Sequence, residues 1–393
     1  MLDLIIIGGG IAGLTSAFFA KKQKLNFLLL EASNKLGGSI RTKNINNQII
    51  ECGSTGLRAG SVIKEIIKDL SLEILTRNKK ANKHFIYYKD SLYSQNQILG
   101  FKAYLDLIGK VFFRVKALKE KESIKEFADR VLGQEISEKV ISAMINGLYA
   151  GDYSILSKSL FPKFLKSNSL IYFKKGLNEF TDSMADFIEH NNIKLNTEVL
   201  EIQENNNYFE VITKDLKLEA SKIILAVPAY KASKIYVKYL SRLSEIEYLA
   251  VINIACEIPY KQAFENYVGF LSSNNSNTEL LGLIHSSNLF KVNNKMILNC
   301  FLGGHKNPQI IQKTDQEIIS IIKTELNKIY NFNEINILNI ERWPQAMPQY
   351  KINHEDIFKE IILPKGLYLC GNYSKGISIE EVVRLSKEVL LKL

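Results

Sequence analysis

Cysteine is scarce. The four residues Cys52, Cys256, Cys300 and Cys370 form no CxxC pair and are too few for a disulfide framework, which argues against a stapled extracellular scaffold and against structural zinc. Tryptophan occurs once, proline seven times and histidine five times, and no Ser-His-Asp, paired-carboxylate or metal-ligand spacing stands out. No stretch of 18 uncharged apolar residues exists, so no membrane-spanning helix is expected. The start, MLDLIIIGGG, lacks a basic segment, a long apolar core and a small-residue cleavage site, so export is not expected and the cytoplasm is the expected location. What is present is enough for a folded protein: 393 residues, 46% hydrophobic and 23% charged, a length that suits two or three domains. The formal charge of +10 points to anionic partners, whether lipid, nucleic acid or a polycarboxylate small molecule.

The excess charge is local. Residues 77–130 hold thirteen basic against six acidic residues, about +7 of the total. Within them Lys102, Asp106, Lys110 and Arg114 recur at i+4 while Phe101, Leu105, Ile108, Phe112 and Val115 fill the other faces, the pattern of an amphipathic helix with a basic stripe. Such a helix suits a membrane surface or a substrate channel, or it packs on the core with a solvated stripe. Elsewhere, the β-type run Leu2–Ile7, apolar but for Asp3, and the apolar run Phe27–Leu30 read as buried parallel strands around a helix from Leu14 to Lys22. Helices are also expected at 177–190, 316–330 and 378–391, with β-rich stretches around 250–257 and 296–302.

Gly8-x-Gly10-x-x-Gly13 follows the first run and opens the helix, and Glu31 lies 18 residues on, after the second. In this βαβ context the triplet is a dinucleotide fingerprint. Gly8 permits the tight turn, Gly10 lets the backbone approach a pyrophosphate, Gly13 allows close helix packing, and the helix N-terminus stabilises the anion. A carboxylate at Glu31 would accept hydrogen bonds from ribose hydroxyls and disfavours a 2′-phosphate, and so NADP.

Leu36-Gly37-Gly38-Ser39-Ile40-Arg41-Thr42 resembles the second fingerprint of the FAD-containing oxidase and desaturase superfamily, and Leu369-Cys370-Gly371-Asn372 with Gly376 and a helix near Ser378 resembles its distal flavin segment. FAD is the implied cofactor. The resemblance implies contacts from Gly8, Gly10, Ile11, Ala12, Gly13, Glu31, Ala32, Gly38, Arg41, Val199, Gly371, Asn372, Ile377 and Ser378, with Arg41 neutralising pyrophosphate and the last helix's N-terminus stabilising the reduced ring.

Three segments narrow the likeness to the protoporphyrinogen/coproporphyrinogen oxidase family. They are Asn146-Gly147-Leu148-Tyr149-Ala150-Gly151-Asp152 leading through Leu156-Ser157 to Phe161-Pro162; Glu51-Cys52-Gly53 with Leu57-Arg58-Ala59-Gly60; and Arg342-Trp343-Pro344 with Met347-Pro348-Gln349-Tyr350 and His354. Lys174-Lys175-Gly176, where a glycine pair is usual, and a serine for the common proline after Glu51 depart from the pattern. The resemblance implies six-electron oxidation of a porphyrinogen by O2 with release of H2O2. Protoporphyrinogen IX is the expected substrate, coproporphyrinogen III the alternative, and a flavin amine oxidase the alternative in another class. It places Arg58 at the flavin edge, unless Arg58 instead pairs with Glu51, and it places Tyr350 and His354 beside the substrate. Trp343 is expected to pack rather than react.

The expected fold combines α/β and α+β: a discontinuous Rossmann-like FAD domain (1–76, 171–229, 365–393), an inserted α-helical, membrane-associating region (77–170) and a β-rich substrate domain (230–364). With most of the charge in the insert, an anionic membrane surface or porphyrinogen carboxylates replace nucleic acid as the expected partner.

Overall fold

A computed structural model describes residues 1–94, 97–99, 121–160, 170–293 and 295–393. The expected amphipathic helix over 101–115 and the Phe161-Pro162 pair lie outside these residues. The chain forms a mixed helix and sheet structure built around two seven-stranded sheets. In the first, Leu2–Ile7 lies parallel between Phe27–Leu30 and Lys217–Leu225, and Leu367–Leu369 adds parallel to the latter. Val199–Glu204 and Phe209–Thr213 continue the sheet antiparallel.

The apolar run Leu4–Ile7 of the first strand is explained by burial on both faces. Leu4 and Ile6 pack with the helices Ile11–Lys22, Asn178–Ile188 and Ile379–Leu390, while Ile5 and Ile7 pack with the short helical segments between Ala229 and Glu245. The three expected helices are therefore found at 178–188, 315–330 and 379–390. The latter two begin with capping boxes, Thr314 with Glu317 and Ser378 with Glu381.

The second sheet runs 336–348, 248–258, 296–303, 280–285, 267–272, 83–88 and 91–94. The side chains at the middle of two of its interior strands divide between two faces. Ile252, Ile254 and Cys256 face the helix Asp315–Tyr330 with Leu298, Cys300 and Leu302, whereas Val251, Asn253 and Phe301 face a cavity.

Two boundaries differ from the sequence reading. The segment expected as helical from residue 77 begins with two strands, Lys83–Tyr88 and Ser91–Ser94, and the first pairs parallel with Tyr267–Ser272 in the second sheet. Parallel pairing is non-local, so its partner is invisible in the local pattern. Residues 230–246, expected with the substrate domain, pack instead on the first sheet. All four cysteines are free and buried.

Candidate active site

The glycine turn after the first strand is shaped by backbone at two positions and by open space at a third. Gly8 has φ +107°, and a Cβ there would lie 2.6 Å from Ala226 O; a Cβ on Gly13 would lie 1.8 Å from Gly8 O. These two glycines fit chain against chain. A Cβ on Gly10 would meet nothing nearer than Gly38 Cα at 3.9 Å, and Gly10 lies on the cavity wall. Protein packing does not demand a glycine at position 10, so the vacant volume suits a ligand that approaches the backbone. The helix Ile11–Lys22 starts at Gly10 without a side-chain cap, leaving its first-turn amides and its positive end for an anion at the cavity.

Glu31 lies across the tip of this turn. Its Oε2 accepts the Gly9 N–H at 2.6 Å and its Oε1 accepts the Ser33 N–H at 2.8 Å, which fixes the carboxylate at the wall with lone pairs to spare. A dinucleotide fits this set: amides and glycine for the pyrophosphate, a carboxylate for ribose hydroxyls.

Of the residues picked from sequence, all but Gly13, Tyr350 and His354 line one cavity of about 2090 Å³. That is about twice the upper end of the ~300–1,000 Å³ of common small-molecule sites, room for a large cofactor and a second large molecule. The wall runs from Glu31 and Val199 past Gly371, Asn372 and Ser378 to Phe270, Leu283 and Phe301 on the second sheet.

Arg41 is on the wall, but its Nη1 is 2.9 Å from Glu341 Oε1, and Lys43 Nζ is 2.8 Å from Glu341 Oε2. Its guanidinium also lies 5.0 Å from the Trp343 ring centroid. Its charge is thus shared with the second sheet rather than wholly free for a pyrophosphate. Trp343 itself donates from Nε1 to Cys52 O at 2.8 Å, a packing role with one face on the cavity.

Arg58 does not pair with Glu51. Glu51 is 4% exposed, and its carboxylate accepts from the Tyr172 hydroxyl, from Leu177 N–H at 2.8 Å and from Thr42 Oγ1 at 3.0 Å. Burial raises its pKa to about 7 against those donors. Arg58 lies in the short strand Leu57–Arg58 and lines the cavity. Near it, burial and then the charge of Glu381 push the Tyr149 phenol up while Arg58 draws it down. The helix N-terminus at Ser378 is less simple than expected: Glu380 and Glu381 both stand on the wall in its first turn, so carboxylates accompany the positive helix end.

Tyr350 and His354 are not beside the cavity. Both are buried; Tyr350 Oη donates to Asn372 O at 2.5 Å and accepts from Gly376 N–H at 2.9 Å, and His354 Nε2 lies 2.7 Å from Tyr373 O. They hold the 371–376 turn that carries Gly371 and Asn372. Buried polar side chains need partners, and here the turn's backbone supplies them.

Asn253 was missed in the sequence. It lines the cavity, donates from Nδ2 to Glu51 O at 3.0 Å and accepts from Asn299 Nδ2 at 2.9 Å, while Asn299 also donates to Glu51 O. The signal was present: one asparagine in each of two apolar strands, VINIAC and ILNCFL.

The model of the family described as "Flavin containing amine oxidoreductase" matches residues 11–386. The Bacillus subtilis protein named coproporphyrinogen III oxidase is 25% identical, over 98% of this chain and 96% of its own. The spinach chloroplast protein named protoporphyrinogen oxidase 1 is 27% identical, over 96% of this chain and 82% of its own. Among solved structures, an Exiguobacterium protein provisionally named a protoporphyrinogen oxidase superposes with a TM-score of 0.84 at 18% identity, covering 100% of this chain and 99% of that one. The chain therefore belongs to the flavin-containing amine oxidoreductase family, with FAD as its cofactor and protoporphyrinogen and coproporphyrinogen oxidases as its relatives.

Proposed function

We propose that this chain oxidises a porphyrinogen to the porphyrin with O2 as acceptor, and that protoporphyrinogen IX is the substrate. The observation that supports it best is one continuous cavity with a glycine-and-amide end and a broad apolar end. FAD supplies two-electron acceptance in each of three cycles, with O2 carrying the electrons away as H2O2.

The chain's own work is to bind, orient and exclude water. Gly10 and the amides of the first helix take the pyrophosphate, Glu31 takes the ribose hydroxyls, and Arg58 sets a positive charge at the flavin edge. Leu281, Leu283, Phe301 and Met347 supply a wall on which a flat, apolar macrocycle buries area. The same proposal keeps the protein in the cytoplasm, with the excess charge of residues 77–130 as its contact with anionic lipid. Among the described residues no helix is long and apolar enough to cross a membrane.

A second reading, coproporphyrinogen III, is favoured by the cations Arg77 and Lys79 on the wall, since that substrate carries more carboxylates, and by the end-to-end match to the Bacillus relative.

The test is to give FAD-loaded protein freshly reduced protoporphyrinogen IX, coproporphyrinogen III and putrescine, following porphyrin fluorescence and O2 uptake. The highest kcat/KM is expected on protoporphyrinogen IX. Preference for coproporphyrinogen III moves the reading to the second substrate, and oxidation of the amine alone overturns it.

A further inference from the structure

The strands Thr42–Ile45 and Gln48–Glu51 form a hairpin that follows Gly37 and Gly38 in the chain and lies on the second sheet. Ile50 and Cys52 pack there on Ala255 and Ile297. Beside this apolar contact, Trp343, Asn253 and Asn299 stand on three adjacent strands. Trp343 is opposite Val251, two residues before Asn253, and Asn299 is two residues before Phe301, which is opposite Asn253. Side chains two residues apart in a strand share a face, so the three form a diagonal row on the cavity side of the sheet.

Each carbonyl of the turn Glu51-Cys52-Gly53 accepts from that row. Glu51 O accepts from Asn253 Nδ2 at 3.0 Å and from Asn299 Nδ2 at 2.9 Å, Cys52 O from Trp343 Nε1 at 2.8 Å, and Gly53 O from Asn253 Nδ2 at 3.4 Å. Asn253 and Asn299 are both buried and are joined to each other, Asn299 Nδ2 donating to Asn253 Oδ1 at 2.9 Å. Asn293 adds a further grip on the strand before the turn, accepting the Ile49 N–H at 2.7 Å and donating to Ile49 O at 3.0 Å. Fully paired buried amides fix one arrangement, where apolar packing tolerates several.

The side chain of Glu51 faces the cofactor half. Its carboxylate accepts from Thr42, from Tyr172 and from the Leu177 N–H at the head of the helix Asn178–Ile188, which packs on the first sheet. One residue is thus held by the first half through its side chain and by the second sheet through its backbone. Directly after it, Gly53, Ser54, Thr55 and Gly56 line the cavity and lead into Arg58. A Cβ on Gly53 would lie 1.9 Å from Ser39 O, so the turn also presses on the loop that carries Gly38.

We infer that Asn253 and Asn299 are positioning residues for the oxidation: by holding the Glu51 and Gly53 carbonyls they fix the separation between the flavin wall at residues 53–58 and the substrate wall on the second sheet. This rests on the porphyrinogen reading above, in which each cycle moves one hydride from a meso carbon of the substrate to the flavin and releases one proton from the oxidised macrocycle. Transfer between two held partners is steep in their separation, and a misplacement of ~1 Å costs on the order of 100-fold in rate.

The experiment separates rate from binding in the FAD-loaded protein. Parent, Asn253→Ala, Asn299→Ala and Asn253→Ser are mixed without O2 with protoporphyrinogen IX, and the fall in flavin absorbance gives the reduction rate and the substrate Kd independently. Hydrogen exchange of the peptide over 51–58 reads the turn with no substrate present. Both alanine variants are expected to keep their flavin, to exchange faster over 51–58 with the turn at 8–13 unchanged, and to be reduced ~10-fold or more slowly with Kd within about 2-fold of the parent; Asn253→Ser, which retains a donor, recovers part of the rate. Exchange equal to the parent's overturns the clamp. Faster exchange at an unchanged reduction rate makes the amides structural only, and a raised Kd at an unchanged rate makes them substrate contacts; either overturns the positioning role. A parent reduced by putrescine and by no porphyrinogen overturns the substrate reading alone, and the same rate ratio on the amine then decides the clamp.

Discussion

The Tyr350 hydroxyl bridges two backbone groups of one turn, donating to Asn372 O at 2.5 Å and accepting Gly376 N–H at 2.9 Å. Tyr350→Phe strands both groups in a buried place. A loss of roughly 1–3 kcal/mol in unfolding free energy is expected, because an unsatisfied buried polar group costs about that much. FAD should dissociate more readily, since the turn carries Gly371 and Asn372, while turnover per bound flavin stays near the parent value. Denaturant unfolding and flavin release measure both. A variant that keeps its FAD and its stability but loses affinity for porphyrinogen would return Tyr350 to the substrate.

Gly10 and Gly13 should fail in opposite ways when given a methyl group. At Gly13 the new Cβ lies 1.8 Å from Gly8 O, so Gly13→Ala is expected to lower the stability of the flavin-free protein by several-fold more than Gly10→Ala. At Gly10 the Cβ enters open space on the cavity wall. Gly10→Ala should leave the thermal midpoint of the flavin-free chain within about a degree or two and weaken FAD binding by at least ~10-fold, since it spares packing and blocks the approach. Melting curves without FAD and flavin titrations separate the two.

Glu51 gives the protein a pH dependence whose sign is unusual for a carboxylate. Burial raises its pKa from the ordinary carboxylate value of 4.5 to about 7. Between those values the unfolded chain has lost the proton and the folded chain keeps it, so the unfolded state binds fewer protons and stability falls as pH rises. The loss is fully absent below about pH 4.5 and complete above about pH 7, amounting to roughly 3 kcal/mol. Glu51→Gln should remove this part of the slope, because a neutral amide still accepts from Tyr172 and Leu177. Unfolding curves of both proteins from pH 4.5 to 8 test it; identical slopes mean Glu51 is ionised in the fold.

Much of this site was legible before the fold was known, and the reason is physical. The fingerprint glycines follow one another within a single turn and Gly13 meets Gly8 five residues back, so their spacing carries their meaning even though Gly8 itself packs on the distant Ala226. The same holds for Ser378, whose capping box closes over three residues. Tyr350 and His354 misled because a buried tyrosine and histidine look the same in sequence whether they meet a substrate or a turn 22 or 19 residues away. Arg77 was silent for a related cause, and Asn253, though set apart by its apolar strand, carried no sign of its partner. Arg77 reaches the wall only because Leu75–Thr76 pairs with Leu170–Tyr172 about a hundred residues on, and Asn253 because Glu51 lies across from it in another sheet.

Arg58 and Glu380 should pull the flavin potential in opposite directions. Both line the cavity, Arg58 from its short strand and Glu380 from the first turn of the last helix. Two-electron reduction leaves negative charge on the flavin, so a nearby cation stabilises the reduced form and a nearby carboxylate opposes it. Arg58→Ala is therefore expected to lower the midpoint potential, and Glu380→Gln to raise it, each on the order of 30 mV, which is tenfold in the equilibrium constant for a two-electron couple. Arg58→Lys should recover most of the parent value. Reductive titration against dyes of known potential reads the shift without any porphyrinogen present, which separates an electrostatic effect on the flavin from a loss of substrate contact. Shifts of the same sign in both variants, or none at all, would remove Arg58 from the flavin edge.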